Sequence, residues 1–221
     1  VRRRYPGTTP TTGQARPPEV TRRGVTMSER ATADDQGRPL RALVPLAAGF
    51  EETEGVTIVD LLRRAGMRVV AAGLTAGSVS GSRGIAVVPD ATLRGVADQP
   101  FDIIALPGGR PGADNLAADE RLLDLLRDAS KRGVLIGAVC AGPRVLARAG
   151  LLEGRRVTSF PGALDDFRPW DWTYSEEPVV VDGRLVTSRG PGTAMDFTLT
   201  LIEESAGRRK RRSVEARLIR H

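Results

Sequence analysis

Val134-Leu135-Ile136-Gly137-Ala138-Val139-Cys140-Ala141-Gly142-Pro143-Arg144-Val145-Leu146-Ala147 is a short apolar run that passes directly into a helix-like run, and its hinge is the only cysteine of the chain. A residue at such a strand-to-helix corner projects from the sheet edge in front of a helix N-terminus, where free N–H groups and the dipole stabilise an anion. A thiol held there is expected to be acidic and reactive. The small-x-Cys-x-Gly pattern also meets the small-residue requirement of a nucleophile elbow. The alternative is a buried structural cysteine, since free Cys is among the most buried residue types.

On both sides of this corner, strands alternate with helices. Ala42 to Ala47 reads as a buried strand and Glu52 to Ala65 as a helix with Val56, Val59 and Leu62 on one face, ended by Gly66. Arg68 to Leu74 is a second strand, Ser80 to Val88 a short hairpin excursion, and Ile103-Ile104-Ala105-Leu106 a strand running into Pro107-Gly108-Gly109. Leu122, Leu125, Leu126 and Ala129 recur at helical spacing before the Cys140 strand. Val179 to Val186 forms a hairpin around Asp182-Gly183, and a last helix covers about Gly192 to Ala206, with Met195, Leu199 and Ile202 on one side. Such alternation predicts one α/β domain with a mostly parallel sheet and right-handed crossovers. Sites in such sheets form beyond the C-terminal strand ends. Three segments therefore converge on one edge: Gly49-Phe50-Glu51-Glu52-Thr53-Glu54, Pro107-Gly108-Gly109 and Cys140.

The 221 residues suffice for one domain with a sizeable core. A lone cysteine excludes an intrachain disulfide and fits a reducing, cytoplasmic setting. No apolar run reaches the ~18 residues of a membrane span, and no apolar h-region marks a secretory signal. The net charge of +6 misleads, because eight Arg among residues 1–39 and seven basic residues among 207–221 leave the middle acidic. Arg208-Arg209-Lys210-Arg211-Arg212 carries no recognition motif, so a solvated basic tail or helix is favoured over specific nucleic-acid binding. Residues 1–39, rich in Pro, Thr, Arg and Gly, are expected to be a disordered extension, with Met27 a plausible true start. The predicted domain spans 40–206.

At the converging edge, Gly108-Gly109 allows close backbone approach to a ligand, and with the amide of Ala141 it would form an oxyanion hole; a plain turn is the alternative. A carboxyl from Glu51, Glu52 or Glu54 would reach the thiol, although Glu at a helix start ordinarily compensates the dipole.

Together, Gly49-Phe50-Glu51-Glu52-Thr53-Glu54, Leu106-Pro107-Gly108-Gly109, Ala138-Val139-Cys140-Ala141-Gly142-Pro143 and Thr187-Ser188-Arg189-Gly190-Pro191-Gly192-Thr193 resemble the ThiJ/PfpI superfamily, in its DJ-one and YajL branch. The resemblance runs collinearly from about Arg41 to Ala206. It implies a flavodoxin-like three-layer α/β/α sandwich, usually a homodimer. It also implies a reactive, easily oxidised Cys140 partnered by a protonated Glu54, with Gly109 and Ala141 supplying amides. Arg83 corresponds to an arginine that reaches the partner subunit's site, and Arg189 to a residue near the pocket. Phe160 stands where many members carry a histidine near the cysteine. The only histidine is His221, at the end of the chain, so a Cys-His dyad is not expected. Ala141 stands where peptidase-like and amidotransferase-like relatives place His, which counts against those activities.

Cys and Glu without His suit carbonyl chemistry. A thiolate adds to an aldehyde or α-dicarbonyl carbon, the amides hold the oxyanion, and Glu54 shuttles a proton between carbon and oxygen. The expectation is a glutathione-independent glyoxalase or deglycase-like lyase or hydrolase, acting on a small carbonyl or a glycated adduct, with no cofactor and no metal. The rival reading is a redox sensor or redox-regulated chaperone in which Cys140 stops at sulfenic or sulfinic acid. Trp170 and Trp172 are further candidates for narrowing the pocket.

Overall fold

Runs such as Leu43-Val44 and Ile103-Ile104 have no polar alternation, so a strand made of them must be covered on both faces. The sheet that results is built this way. In the computed structural model, which describes Thr32 and residues 37–220, the chain runs β1 (Arg41–Leu46), α1 (Glu52–Arg64), β2 (Arg68–Gly73), β3 (Val79–Ser80), β4 (Ala86–Val87), β5 (Ala91–Thr92), α2 (Leu93–Val96) and β6 (Ile103–Leu106). It continues through α3 (Arg110–Ala117), α4 (Glu120–Lys131), β7 (Leu135–Val139), α5 (Pro143–Arg148), β8 (Arg156–Val157), β9 (Thr173–Tyr174), β10 (Val179–Asp182), β11 (Leu185–Ser188) and α6 (Ala194–Arg217).

Seven strands pair in the order β10-β11-β7-β6-β1-β2-β5. All neighbours are parallel except the β10–β11 hairpin at one edge. Helices α1 and α6 pack together on one face, against β1, β2, β7 and β11, while α3, α4 and α5 pack together against β1 and β7. This is the expected three-layer α/β/α sandwich, and β3–β4 is the expected hairpin excursion. The chain leaves β1 toward β2 on one side and later returns to its other side as β6. The C-terminal ends of β1 and β6 thus flank a topological switch point, where open α/β sheets place their sites, and β7 ends beside it.

Two helix faces differ from the predicted ones. In α1 the buried apolar side chains are Ile58, Leu61 and Leu62, whereas Val56 is 50 % exposed. In α6 Phe197, Leu199, Leu201 and Ile202 are buried and Met195 is not. The α6 face is chosen by Gly137 of β7, where a Cβ would lie 2.8 Å from the Phe197 ring and 2.9 Å from Leu201. A bare backbone lets these two side chains seat directly on the sheet.

The basic terminus also differs from a free tail. Helix α6 continues past a break at Gly207 (φ 82°) to Arg217, and Val214 is fully buried. Arg211 pairs with Glu203 at 2.6 Å and Arg220 with Asp196 at 2.8 Å, so apolar burial and ion pairing fold this segment onto the body. Most of the expected disordered extension, residues 1–39, lies outside the described residues, as does His221. Within that stretch Thr32 is buried, its hydroxyl donating to the carbonyl of Ala65 and its carbonyl accepting from the amide of Leu40 at 2.8 Å. The ordered body therefore begins before Arg41. Among the described residues no helix is long and apolar enough to cross a membrane.

Candidate active site

The β7–α5 corner has the geometry its sequence predicted. Cys140 adopts φ 61°, one of two positive-φ non-glycine residues among those described. Such a conformation costs on the order of 1–3 kcal/mol and persists only where the surroundings over-determine it. Here the Cys140 amide donates to the Ser188 carbonyl and its own carbonyl accepts from the Phe160 amide, each at 2.9 Å. Both bonds come from parts of the chain distant in sequence, and together they fix the corner.

Across from it, β6 ends in Pro107-Gly108-Gly109. A Cβ on Gly108 would lie 2.6 Å from the Cys140 Cβ and 2.8 Å from Glu54 Oε2, so only glycine admits the thiol and the carboxyl together. Gly109 takes φ 83°, a left-handed conformation open to glycine, and turns its amide to the sulfur. The amides of Gly109 and Ala141 both donate to Cys140 Sγ.

The Glu-Glu-Thr-Glu turn assigns its three carboxyls different tasks. Glu51 caps α1, its carboxylate accepting from the Glu54 amide at 2.7 Å. Glu52 is buried and accepts from the Ser82 hydroxyl and the amides of Arg83 and Ile85, at 3.1, 2.6 and 3.3 Å. Burial raises its pKa, but these donors outweigh it and hold Glu52 below the usual carboxylate range. It is the anchor of the 81–85 loop, a role not visible from its position at a helix start. Glu54 is fully buried, and its Oε2 accepts from the Gly108 amide at 2.6 Å. Its Oε1 is buried without a conventional hydrogen-bond partner, and the side chain coupled to the carboxyl by hydrogen bonding is the Cys140 thiol.

Burial pushes the Glu54 carboxyl up to about 7, against the downward pull of the Gly108 amide and the thiol. Burial also pushes the Cys140 thiol up to about 12, with the charge of Glu54 adding to it and the two amides opposing it. This corrects the expectation of an acidic thiol. Cys140 is only 8 % exposed and faces a carboxyl, while α5 has six residues and begins beyond it, so loss of water outweighs the helix terminus. The two groups therefore titrate as a pair that holds two protons below about 7 and one from there to about 12. In one arrangement thiol faces carboxylate; in the other thiolate, held by two amides, faces carboxylic acid. The second arrangement offers a nucleophile and an acid side by side.

The sulfur opens into a hollow of about 530 Å³ lined by Glu51, Arg83, Gly109, Arg110, Ala141 and Phe160, among others. The structure thus brings together Cys140, Glu54, Gly108, Gly109, Ala141, Arg83 and Phe160. It does not bring Arg189 into this hollow. The Arg189 guanidinium donates to the Glu176 carbonyl at 2.8 Å and lines a neighbouring depression with Trp170 and Tyr174. Trp172 lines neither. Arg110 and Arg144 went unrecognised in the sequence. Arg144 carried one signal, a cation in the first turn of a helix, where the dipole disfavours it without an acidic partner.

The DJ-1/PfpI family model matches residues 40–204. Over 182 residues, 81 % of this chain and 96 % of the relative, the sequence is 44 % identical to the Parkinson disease protein 7 homolog of Danio rerio. It is 39 % identical to the glutathione-independent glyoxalase DJR-1.2 of Caenorhabditis elegans over 164 residues, 74 % of this chain and 87 % of that one. The crystal structure of Drosophila melanogaster DJ-1beta superposes with a TM-score of 0.78 at 42 % identity, covering 81 % of this chain and 97 % of that one. With its elbow cysteine, its buried glutamate and a match along most of its length, the chain belongs to the DJ-1/PfpI family.

Proposed function

We propose that the protein is a cofactor-independent enzyme that converts reactive α-dicarbonyls such as methylglyoxal to hydroxy acids without glutathione. The observation that carries this reading is the pairing of Cys140 with a buried, proton-holding Glu54 beneath two converging amides. A relative named as a glutathione-independent glyoxalase supports it.

Cys140 in its thiolate form adds to the aldehyde carbon, and the amides of Gly109 and Ala141 receive the oxyanion. Glu54 gives its proton to that oxygen and, as carboxylate, removes the proton from the former aldehyde carbon. Returning that proton to the adjacent carbon, while the proton on the first oxygen passes to that carbon's own oxygen, leaves a 2-hydroxy thioester on Cys140. Water cleaves the thioester to the hydroxy acid and restores the thiol. Overall, one dicarbonyl and one water give one hydroxy acid. The same addition to a hemithioacetal or aminocarbinol adduct would make the enzyme deglycase-like, a lyase or a hydrolase according to its substrate. The reading includes a homodimer, which the exposed apolar side chains Val56 and Val88 support, and a reducing, cytoplasmic setting, which the single thiol supports.

The test is hydroxy-acid production from methylglyoxal without glutathione, comparing the wild-type protein with Cys140→Ser at equal concentration. Turnover that depends on Cys140 is expected. Absence of turnover, with a thiol that peroxide oxidises readily, would replace this reading with that of a redox sensor or redox-regulated chaperone in oxidative stress.

A further inference from the structure

Arg144 is the one buried arginine among the described residues, its side chain 10 % exposed, and it lies four residues past Cys140 on α5. Its Nε donates to Asp114 Oδ1 of α3 at 2.7 Å. Its Nη1 donates to the carbonyl of Ala163 at 2.6 Å and lies 3.0 Å from Asp166 Oδ2. The guanidinium carbon stands 5.3 Å from the centroid of the Phe167 ring. Asp166 is shared, since Arg110 at the start of α3 pairs with it too and also reaches Asp114 at 3.7 Å.

These contacts join the parts of the chain that wall the hollow. Helix α3 begins immediately after Gly109, whose amide holds the sulfur, and it carries Arg110 and Pro111 into the lining. The 160–163 segment contributes Phe160, Pro161, Gly162 and Ala163. That segment contains no helix or strand, so side-chain bonds must hold it. Desolvating a guanidinium is expensive unless its donors are matched; here a carboxylate, a carbonyl and a second carboxylate match them in a planar fork that lysine cannot reproduce.

We propose that Arg144 is a positioning residue for the Cys140 site, clamping the 160–167 segment and α3 together so that the wall closes over the thiol. Its action on turnover rests on the proposed dicarbonyl reading; its action on access to the thiol does not. The clamp keeps water and large reagents from the sulfur while holding the substrate against it. Removing it therefore moves two rates in opposite directions, whereas loss of general stability would leave both unchanged in the folded protein.

The experiment uses the full chain with Arg144→Met, Arg144→Lys and Asp166→Asn. It measures alkylation of Cys140 by iodoacetamide at neutral pH and the steady-state kinetics of methylglyoxal turnover, well below each variant's unfolding temperature. Arg144→Met should be alkylated severalfold faster than wild type. Its kcat/KM should fall on the order of tenfold to a hundredfold, the scale expected of a displaced reacting group. Arg144→Lys should recover only part of both, because a single ammonium cannot bridge all three acceptors. Asp166→Asn, at a half-exposed position, should move both rates the same way by less, and it decides the question if Arg144→Met does not fold. Folded variants with wild-type alkylation and wild-type kcat/KM would overturn the proposal, as would full rescue by lysine. If the wild-type protein shows no turnover, the alkylation rates alone decide, with unchanged rates overturning the clamp.

Discussion

Replacing Glu54 by glutamine removes a titrating proton while keeping an oxygen that accepts from the Gly108 amide, so it isolates the effect of burial on the site. In the folded protein the carboxyl is pushed from 4.5 to about 7. Between those values the native state keeps a proton that the unfolded chain releases, so wild-type stability falls as pH rises through the window and levels off above it. The rise corresponds to roughly 3 kcal/mol at 1.36 kcal/mol per pH unit. Glu54→Gln carries no such proton. Its stability relative to wild type should therefore improve by up to ~3 kcal/mol between pH 4.5 and pH 8, or ~6–12 °C in melting temperature for a chain of this size. The difference between the two proteins cancels every other titrating group. Urea denaturation of both at four or five pH values measures it. A gap that stays constant across this range would show that Glu54 ionises normally in the fold, and the shared-proton account of the pair would fall with it.

The same variant should lose roughly a hundredfold or more in dicarbonyl turnover, the usual scale of acid–base contributions; an unchanged kcat would remove Glu54 from the reaction. Cys140→Ser should abolish turnover with circular dichroism and melting unaltered. Gly108→Ala forces a Cβ to within 2.6 Å of the Cys140 Cβ and 2.7 Å of the Ala141 amide nitrogen. It should destabilise the fold by ~1–3 kcal/mol and suppress turnover, as urea titration and initial rates would show. Ending the chain before Gly207 removes the buried Val214 and the ion pairs of Arg208 and Arg211 with Glu203 and of Arg220 with Asp196. It should lower stability by at least ~1.5–3 kcal/mol, and an unaltered urea midpoint would mean that the terminal helix does not support the core.

Much of the architecture was legible in the sequence because it rests on local patterns. Unbroken apolar runs of four to six residues marked the central strands, and turn glycines marked their ends. The order of these elements pointed to a parallel sheet whose C-terminal edge collects Glu54, Gly109 and Cys140. Helix faces were less legible. Val56 and Met195 fit their apolar stripes, yet the bare backbone of Gly137 draws Phe197 and Leu201 inward and leaves Met195 outside. The basic terminus looked solvated because its charges outnumber its apolar residues. Acidic partners on the same helix, Glu203 and Asp196, offset those charges once the helix folds back.

By itself the sequence determined which residues form the elbow, which glycines flank it and that the single histidine is the last residue, since these follow from residue type and spacing. The tertiary structure alone decided their electrostatics. A thiol in front of a helix reads as acidic until the depth of its burial is known, and a carboxyl three residues into a helix reads as a dipole partner until its neighbours are seen. Desolvation depends on everything packed around a group, and the donors that oppose it arrive from the turns that follow β6 and β7 at once. The separate duties of Glu51, Glu52 and Glu54, the exclusion of Arg189 from the hollow and the clamp around Arg144 are all long-range placements. No local pattern encodes them, because each depends on where distant segments come to rest.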